Sequence, residues 1–276
     1  MNSQPEARPY GINSLLEIMQ CLRDPERGCP WDLKQDFDSI APYTLEETYE
    51  LVDAIASGDY QQIKDELGDV LFQVVFYSQI GSERQLFDFD DVVAAISQKL
   101  VRRHPHVFDN PHGASISERE VKDRWEQIKS DERAEKQQTG ALQDVPLALP
   151  ALSRAQKLQK RAARVGFDWP ERSGALAKVD EELMELREAL DEGDVDHIEA
   201  ELGDIFLSLV NLARHLGVDA ESSLRRANQR FEHRFELMED AARREGSSLE
   251  QEPLSVLELR WQKQRVMLDQ QDLLFV

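Results

Sequence analysis

The sequence predicts an all-α fold built from two tandem helical units of related design. Three observations carry that expectation. Apolar residues recur at helical spacing, while strand-like alternation is hard to find. The charged fraction is 32%, rich in helix-forming residues. The chain also repeats itself: DELGDVLFQVV at Asp65–Val75 returns as AELGDIFLSLV at Ala200–Val210.

The repeat extends well beyond that stretch. Glu47, Glu50, Glu66 and Asp69 recur as Glu182, Glu185, Glu201 and Asp204, each about 135 positions further on. The pair Gly58-Asp59 becomes Gly193-Asp194 at the same offset. Cys29–Asp32 resembles Phe167–Pro170, Lys99…Arg103 resembles Arg230…Arg234, and Trp125…Lys129 resembles Trp261…Arg265.

The helices follow in order. Leu45–Ala56 is apolar at Leu45, Tyr49, Val52 and Ile55, with Pro42 and Thr44 suiting its start and Gly58 its C′ position. Asp59 is placed to cap the next helix, Tyr60–Gly81. Asp88–Arg103 and Ser117–Arg133 come next, separated by a loop at Asp109–Ser117. EKQQTGALQDVPLALP, Glu135–Pro150, has the polar, Gly- and Pro-bearing character of a linker. It divides the chain into units 1–140 and 141–276. The second unit reads Ala148–Arg164, Ser173–Glu192, Asp194–Leu216, Asp219–Glu245 and Pro253–Leu268, before a fraying DQQDLLFV. Val70–Ile80 and Ile205–Ala213 are apolar almost all round. Such segments belong in the centre of a bundle or in a dimer interface.

The turn at Gly58 folds two helices into an antiparallel pair. Glu50 and Glu66 lie about eight residues either side of it, and Glu47 and Asp69 about eleven, so each pair sits at one height. Four carboxylates then converge in two layers, and Gly193 repeats the arrangement with Glu185 opposite Glu201 and Glu182 opposite Asp204. Such a group stays ionised only beside cations. Oxygen-only ligation favours Mg²⁺ first, then Mn²⁺ or Ca²⁺. None of the six histidines lies three residues after a glutamate, which speaks against a helical di-iron site. Acids at such spacing on a single helix pair are commonly just solvated; their repetition in both halves favours the metal reading. Gly68 and Gly203 admit two explanations, a close approach of backbone or ligand beside the metals or tight helix packing.

Basic residues suited to phosphate cluster in the second half. Lys157, Lys160, Arg161 and Arg164 share one helix face, and Lys178 stands one turn before Glu182. Arg230 and Arg234 are one turn apart, as are Trp261 and Arg265. A tryptophan one turn from a cation can stack on a base while the cation takes a phosphate. A solvated basic face and core tryptophans are the plainer explanation of each feature taken singly. The first half has Tyr43 at the position of Lys178, so the second half is better equipped for a polyphosphate.

The net charge of −21 argues against a nucleic acid polymer as partner. The two cysteines, Cys21 and Cys29, are too few for a disulfide scaffold and suggest a reducing compartment. No apolar run approaches membrane-spanning length, and the first residues lack a signal-peptide pattern, so the expected location is the cytoplasm.

EETYE (Glu46–Glu50) with ELGD (Glu66–Asp69), and EELME (Glu181–Glu185) with ELGD (Glu201–Asp204), resemble the MazG family of nucleoside triphosphate pyrophosphohydrolases. So do GCPWD, IAPYTLEETYE, LGDVLFQVVFY, RRHPHVF, RWEQIK, LPAL, VGFDW, NLARHLG and RFEHRF. The likeness runs over about residues 10–266, in the two-domain form. It implies tetrahelical units paired as a tight homodimer. It also implies Mg²⁺-dependent hydrolysis of a nucleoside triphosphate between the α and β phosphorus, with the C-terminal unit catalytic. By this resemblance the metal ligands are Glu182, Glu185, Glu201 and Asp204, with Glu47, Glu50, Glu66 and Asp69 as a second candidate site. Lys178, Arg230, Arg234 and Trp261 match nucleotide-contacting positions. Arg265 stands where lysine is frequent, which keeps the charge and changes its geometry. Glu181, beside the ligands, is a candidate to orient or deprotonate the attacking water. A single tryptophan at a roomy site suits broad base specificity and a housecleaning role. The competing readings are a nucleotide- or alarmone-binding regulator without turnover and a structural dimer with a vestigial site. The complete acid set in both halves speaks against the first.

Overall fold

The computed structural model describes residues 10–109 and 140–272, with single positions 117, 120, 121, 124 and 128 between them. Trp125 and Lys129 lie outside the described residues, as do most of the Ser117–Arg133 helix and the side chain of Arg265. The described residues are helical, with no strand among them. The chain divides into two compact units, residues 1–129 and 130–276.

In the first unit the helices are α1 (Ile12–Leu22), α2 (Phe37–Ser57), α3 (Tyr60–Glu83), α4 (Phe89–Arg103) and the short α5 (Pro105–Phe108). Helix α2 starts eight residues earlier than its apolar spacing predicts. A capping box explains this: Ser39 N donates to Asp36 Oδ1 at 2.9 Å, and Asp36 N donates to Ser39 Oγ at 2.8 Å. Pro42 therefore lies inside the helix rather than at its start, and its missing N–H forgoes one intrahelical bond. Gly58 ends α2 at φ +74°, a left-handed conformation that favours glycine, and Asp59 accepts from Gln61 N and Gln62 N to begin α3. Helix α1, absent from the spacing analysis, packs on α3 through Leu15, Leu16 and Met19. The core of this unit is Met19, Ile40, Val75, Phe76 and Ile80. Buried Arg23, at the end of α1, ties the loop to α3: it donates to the carbonyls of Asp32 and Gln35 and forks onto Glu83 at 2.9 and 2.6 Å.

The second unit repeats the plan with α6 (Ala151–Arg164), α7 (Arg172–Glu192), α8 (Val195–His215), α9 (Ala220–Arg244) and α10 (Leu254–Asp272). Gly193, again at φ +74°, and the Asp194 cap fold α7 onto α8, the most extensive helix pairing in the unit. Helix α6 also packs on α8, and α9 packs on α10. Helix α8 buries Ile205 and Val210 but leaves Phe206, Leu207 and Leu209 exposed, so its nearly all-apolar sequence is only part covered within the chain.

Candidate active site

The α7–α8 pair positions the second set of acids. Ligand oxygens of Glu182, Glu201 and Asp204 all lie within 4.8 Å of one another. Glu185 stands outside that trio, one turn beyond Glu182 on α7. Axial rise alone places Glu185 at the height of Glu201, but rise fixes height and not which oxygens meet. Burial separates the two: Glu182 is 5% exposed, while Glu185 is half-buried. Burial and the neighbouring carboxylates of Glu182 and Glu201 push the Glu185 carboxyl up. The first unit shows the same three-plus-one pattern: Glu47, Glu66 and Asp69 converge, and exposed Glu50 stands apart. Burial, then the carboxylates of Asp69 and Glu50, push the Glu47 carboxyl up.

A test of fit to a cation comes from Glu201. Its Oε2 is buried and has no hydrogen-bond partner among the described residues. An unpartnered buried carboxylate oxygen is costly, and a cation shared with Glu182 and Asp204 would remove the cost. The donors are all carboxylate oxygens, so the residues fit a hard divalent ion.

Cations of the chain itself also reach the acids. Lys178 Nζ lies 2.6 Å from Glu181 Oε1 and 2.8 Å from Glu182 Oε1. Those hydrogen bonds hold its ammonium well above the usual lysine range. His197, which the spacing analysis did not single out, sits between Glu201 Oε1 at 3.2 Å and Glu192 Oε2 at 3.1 Å. The hydrogen bond to Glu192 raises its pKa. The signal for His197 was its place one turn before Glu201 on α8.

A cavity of about 430 Å³ opens beside the acids. Its lining includes Lys178, Glu182 and Asp204 together with Phe167, Trp169, Leu207 and Asn211. Asp204, Leu207, Ser208 and Asn211 follow the i, i+3, i+4, i+7 face of α8, a pattern readable in the sequence. Trp169 is not a core residue: it is 45% exposed and lines the cavity. Asp168 accepts from Arg214 and lies 3.0 Å from His215 Nε2. Burial works against its charge, but the bonds from Arg214 and His215 outweigh this and hold the carboxyl below its ordinary value.

The other predicted cations lie elsewhere. Arg234 stacks over Trp261 at 5.6 Å, Phe231 meets the same ring at 5.1 Å, and Arg230 is exposed on α9; none of them lines the cavity. On α6, Arg161 donates to the Gln143 and Asp144 carbonyls, and it is Gln159 and Ala162 that face the cavity. Among the described residues, nothing outside the local helix lies within 4 Å of where a Cβ on Gly68 or Gly203 would sit, so packing among them does not require either glycine. In the first unit Tyr43, at the position of Lys178, packs edge-on against Trp31 at 5.6 Å.

The family model for the MazG nucleotide pyrophosphohydrolase domain matches residues 35–108 and again 172–238, one match on each acid-bearing helix pair. The chain belongs to this family. It is 52% identical over 254 residues to the nucleoside triphosphate pyrophosphohydrolase of Escherichia coli K12, covering 91% of this chain and 96% of that protein. It is 44% identical over 252 residues to the nucleoside triphosphate pyrophosphohydrolase/pyrophosphatase MazG of Thermotoga maritima, covering 91% and 94% respectively. A crystal structure of a mazG-related protein from Thermotoga maritima aligns with 43% of this chain and 99% of its own, at 23% identity and a TM-score of 0.38.

Proposed function

We propose that this chain hydrolyses nucleoside triphosphates between the α and β phosphorus, giving the monophosphate and pyrophosphate, with Mg²⁺ as the working ion and Mn²⁺ as a substitute. The observation that carries this reading is the meeting of Glu182, Glu201 and Asp204 at the edge of a cavity also lined by Lys178, in a chain of the MazG family. A bound divalent ion would neutralise phosphate oxygens and lower the pKa of a water. Glu182, Glu201 and Asp204 would hold it, with Glu185 completing the set. Lys178, now held by Glu181 and Glu182, lines the cavity and would turn to a phosphate oxygen. Glu181, now paired with Lys178, would orient or deprotonate the attacking water.

On this reading residues 141–276, within the second compact unit, form the main catalytic unit. Lys178 and the cavity belong to it, whereas Tyr43 and Trp31 pack together in the first. Glu47, Glu50, Glu66 and Asp69 form a second candidate metal site. Arg230, Arg234, Trp261 and Arg265 join Lys178 as nucleotide-binding residues. The exposed apolar side chains of Phe206, Leu209, Met184 and Phe231 support a homodimer, which would cover them. The free thiols Cys21 and Cys29 fit a cytoplasmic protein, and no helix among the described residues is long and apolar enough to cross a membrane. Broad base specificity and a part in clearing the nucleotide pool complete the proposal. The test is product analysis in ¹⁸O-labelled water. The expected result is pyrophosphate with label in the monophosphate, abolished by chelation and restored by Mg²⁺. Release of inorganic phosphate and a diphosphate would contradict it.

A further inference from the structure

We propose that Asn211 reads the base of the substrate, donating a hydrogen bond from its side-chain Nδ2 to an acceptor atom on the base edge, and that Arg214 and Asp168 fix it in that role. This rests on the triphosphate reading above and extends it by naming where the base sits and what recognises it.

The cavity has two chemically distinct parts. Lys178, Glu182 and Asp204 suit metal and phosphate. Asn211 lies on the same face of α8 as Asp204, two turns or about 10 Å along the helix axis, so it stands off from the acids by a span that leaves room for a sugar. Phe167 and Trp169 flank Asp168, which is bonded to Arg214 one turn beyond Asn211, so the aromatic lining lies toward that end. Trp169 is seated on glycine: a Cβ on Gly174 would fall 2.8 Å from the indole ring. The ring thus lies closer to the α7 backbone than any other residue would permit, and presents an apolar surface to a planar ligand.

The orientation of the Asn211 amide follows from its neighbours. Its Oδ1 accepts from Arg214 Nε at 3.1 Å and Nη2 at 2.8 Å. A guanidinium only donates, so the oxygen must face it and the NH₂ must face away. Arg214 in turn donates to Asp168, 46 residues away in sequence, which anchors the arginine across the cavity lining. The other donors are engaged: Gln159 Nε2 gives to the Leu207 carbonyl at 2.7 Å, and Ser208 Oγ to the Ile205 carbonyl at 3.0 Å, while the buried Gln159 Oε1, an acceptor, has no partner among the described residues. Asn211 Nδ2 has no partner among the described residues. A fixed donor beside an apolar wall matches a planar heterocycle with a ring nitrogen or carbonyl oxygen on its edge, which is a nucleobase.

The experiment compares the full-length protein with Asn211→Asp and Asn211→Ala. Pyrophosphate release is measured from a panel of nucleoside triphosphates, and ribose 5-triphosphate, which has no base, is measured as a competitive inhibitor. Asn211→Asp keeps the shape and the acceptor for Arg214 but removes the donor. The expected result is a fall in kcat/KM of at least about tenfold, carried by KM, with a changed ranking of bases and an unchanged inhibition constant for ribose 5-triphosphate. Asn211→Ala falls less, because it leaves an unmade bond rather than a repulsion. An equal fall for every base, with weakened inhibition by the baseless compound, would overturn the proposal and leave Asn211 a structural role. So would no change in either variant. If the wild type releases pyrophosphate from no triphosphate, the parent reading fails and the inference with it.

Discussion

Lys178 and Glu182 form an ion pair of 2.8 Å, one turn apart on α7, and the carboxylate in that pair is a buried member of the acid trio. The ammonium therefore occupies the same electrostatic niche as a divalent cation. Replacing it by a neutral side chain removes a competing charge. Lys178→Met is expected to raise Mg²⁺ affinity in the absence of nucleotide by about tenfold, read by titration calorimetry. The same variant is expected to lower kcat/KM for triphosphates by about 100-fold, because phosphate loses its cation. Tighter metal with weaker catalysis is the signature of a lysine that changes partner.

Glu201 predicts an opposition of stability and activity. Its unpartnered, buried Oε2 is expensive while charged. A neutral amide of the same shape is cheaper to bury. Glu201→Gln is expected to raise the melting temperature of the metal-free protein by about 2–4 °C, corresponding to about 1 kcal/mol, and to abolish pyrophosphate release. Calorimetry with and without chelator reads the first effect.

Gly203 is tested by alanine. Among the described residues nothing beyond the local helix lies within 4 Å of the added methyl, so helix propensity decides, and Gly203→Ala is expected to stabilise by about 1 kcal/mol. If the glycine keeps α8 slim where substrate approaches, kcat/KM falls in this more stable protein. Gly68→Ala, its counterpart in the first unit, is expected to gain similar stability with activity intact.

Glu83 sets a pH dependence for the first unit. The hydrogen bonds from buried Arg23 hold its carboxyl below the usual glutamate range. A depressed pKa contributes stability that is present above the unfolded value, about 4.3, and is lost as pH falls through the folded value. Denaturant melts of the wild type should thus lose stability as pH falls below about 4, and Glu83→Gln should be flatter there. At neutral pH the variant leaves Arg23 short of its partner and is expected to cost about 2 kcal/mol, reduced from the fully buried case because Glu83 is partly open to water.

Local features of the fold were legible in the sequence because their causes are local. Gly58-Asp59 and Gly193-Asp194 each join a left-handed C′ residue to an N-cap, and both turns stand where the repeat put them. The start of α2 was misread because Pro42 looks like a helix opener, while the Asp36–Ser39 box upstream is the stronger signal. Helix α1 was missed although Ile12, Leu15, Leu16 and Met19 hold helical spacing; its short length made it inconspicuous. At the site, spacing brought the acids to one region but not to their final grouping. Which oxygens converge depends on the helix crossing and on rotamers. The Asp168–Arg214 contact joins residues 46 apart, and no periodicity reports it.

The measurement closest to the central claim is Mg²⁺-dependent pyrophosphate release by the wild type, Glu47→Gln and Glu182→Gln over one panel of nucleoside triphosphates. The two substitutions alter equivalent acids in the two trios. The account predicts release by the wild type and Glu47→Gln, and none by Glu182→Gln. Release that survives Glu182→Gln and vanishes with Glu47→Gln would contradict it, placing the chemistry in the first unit.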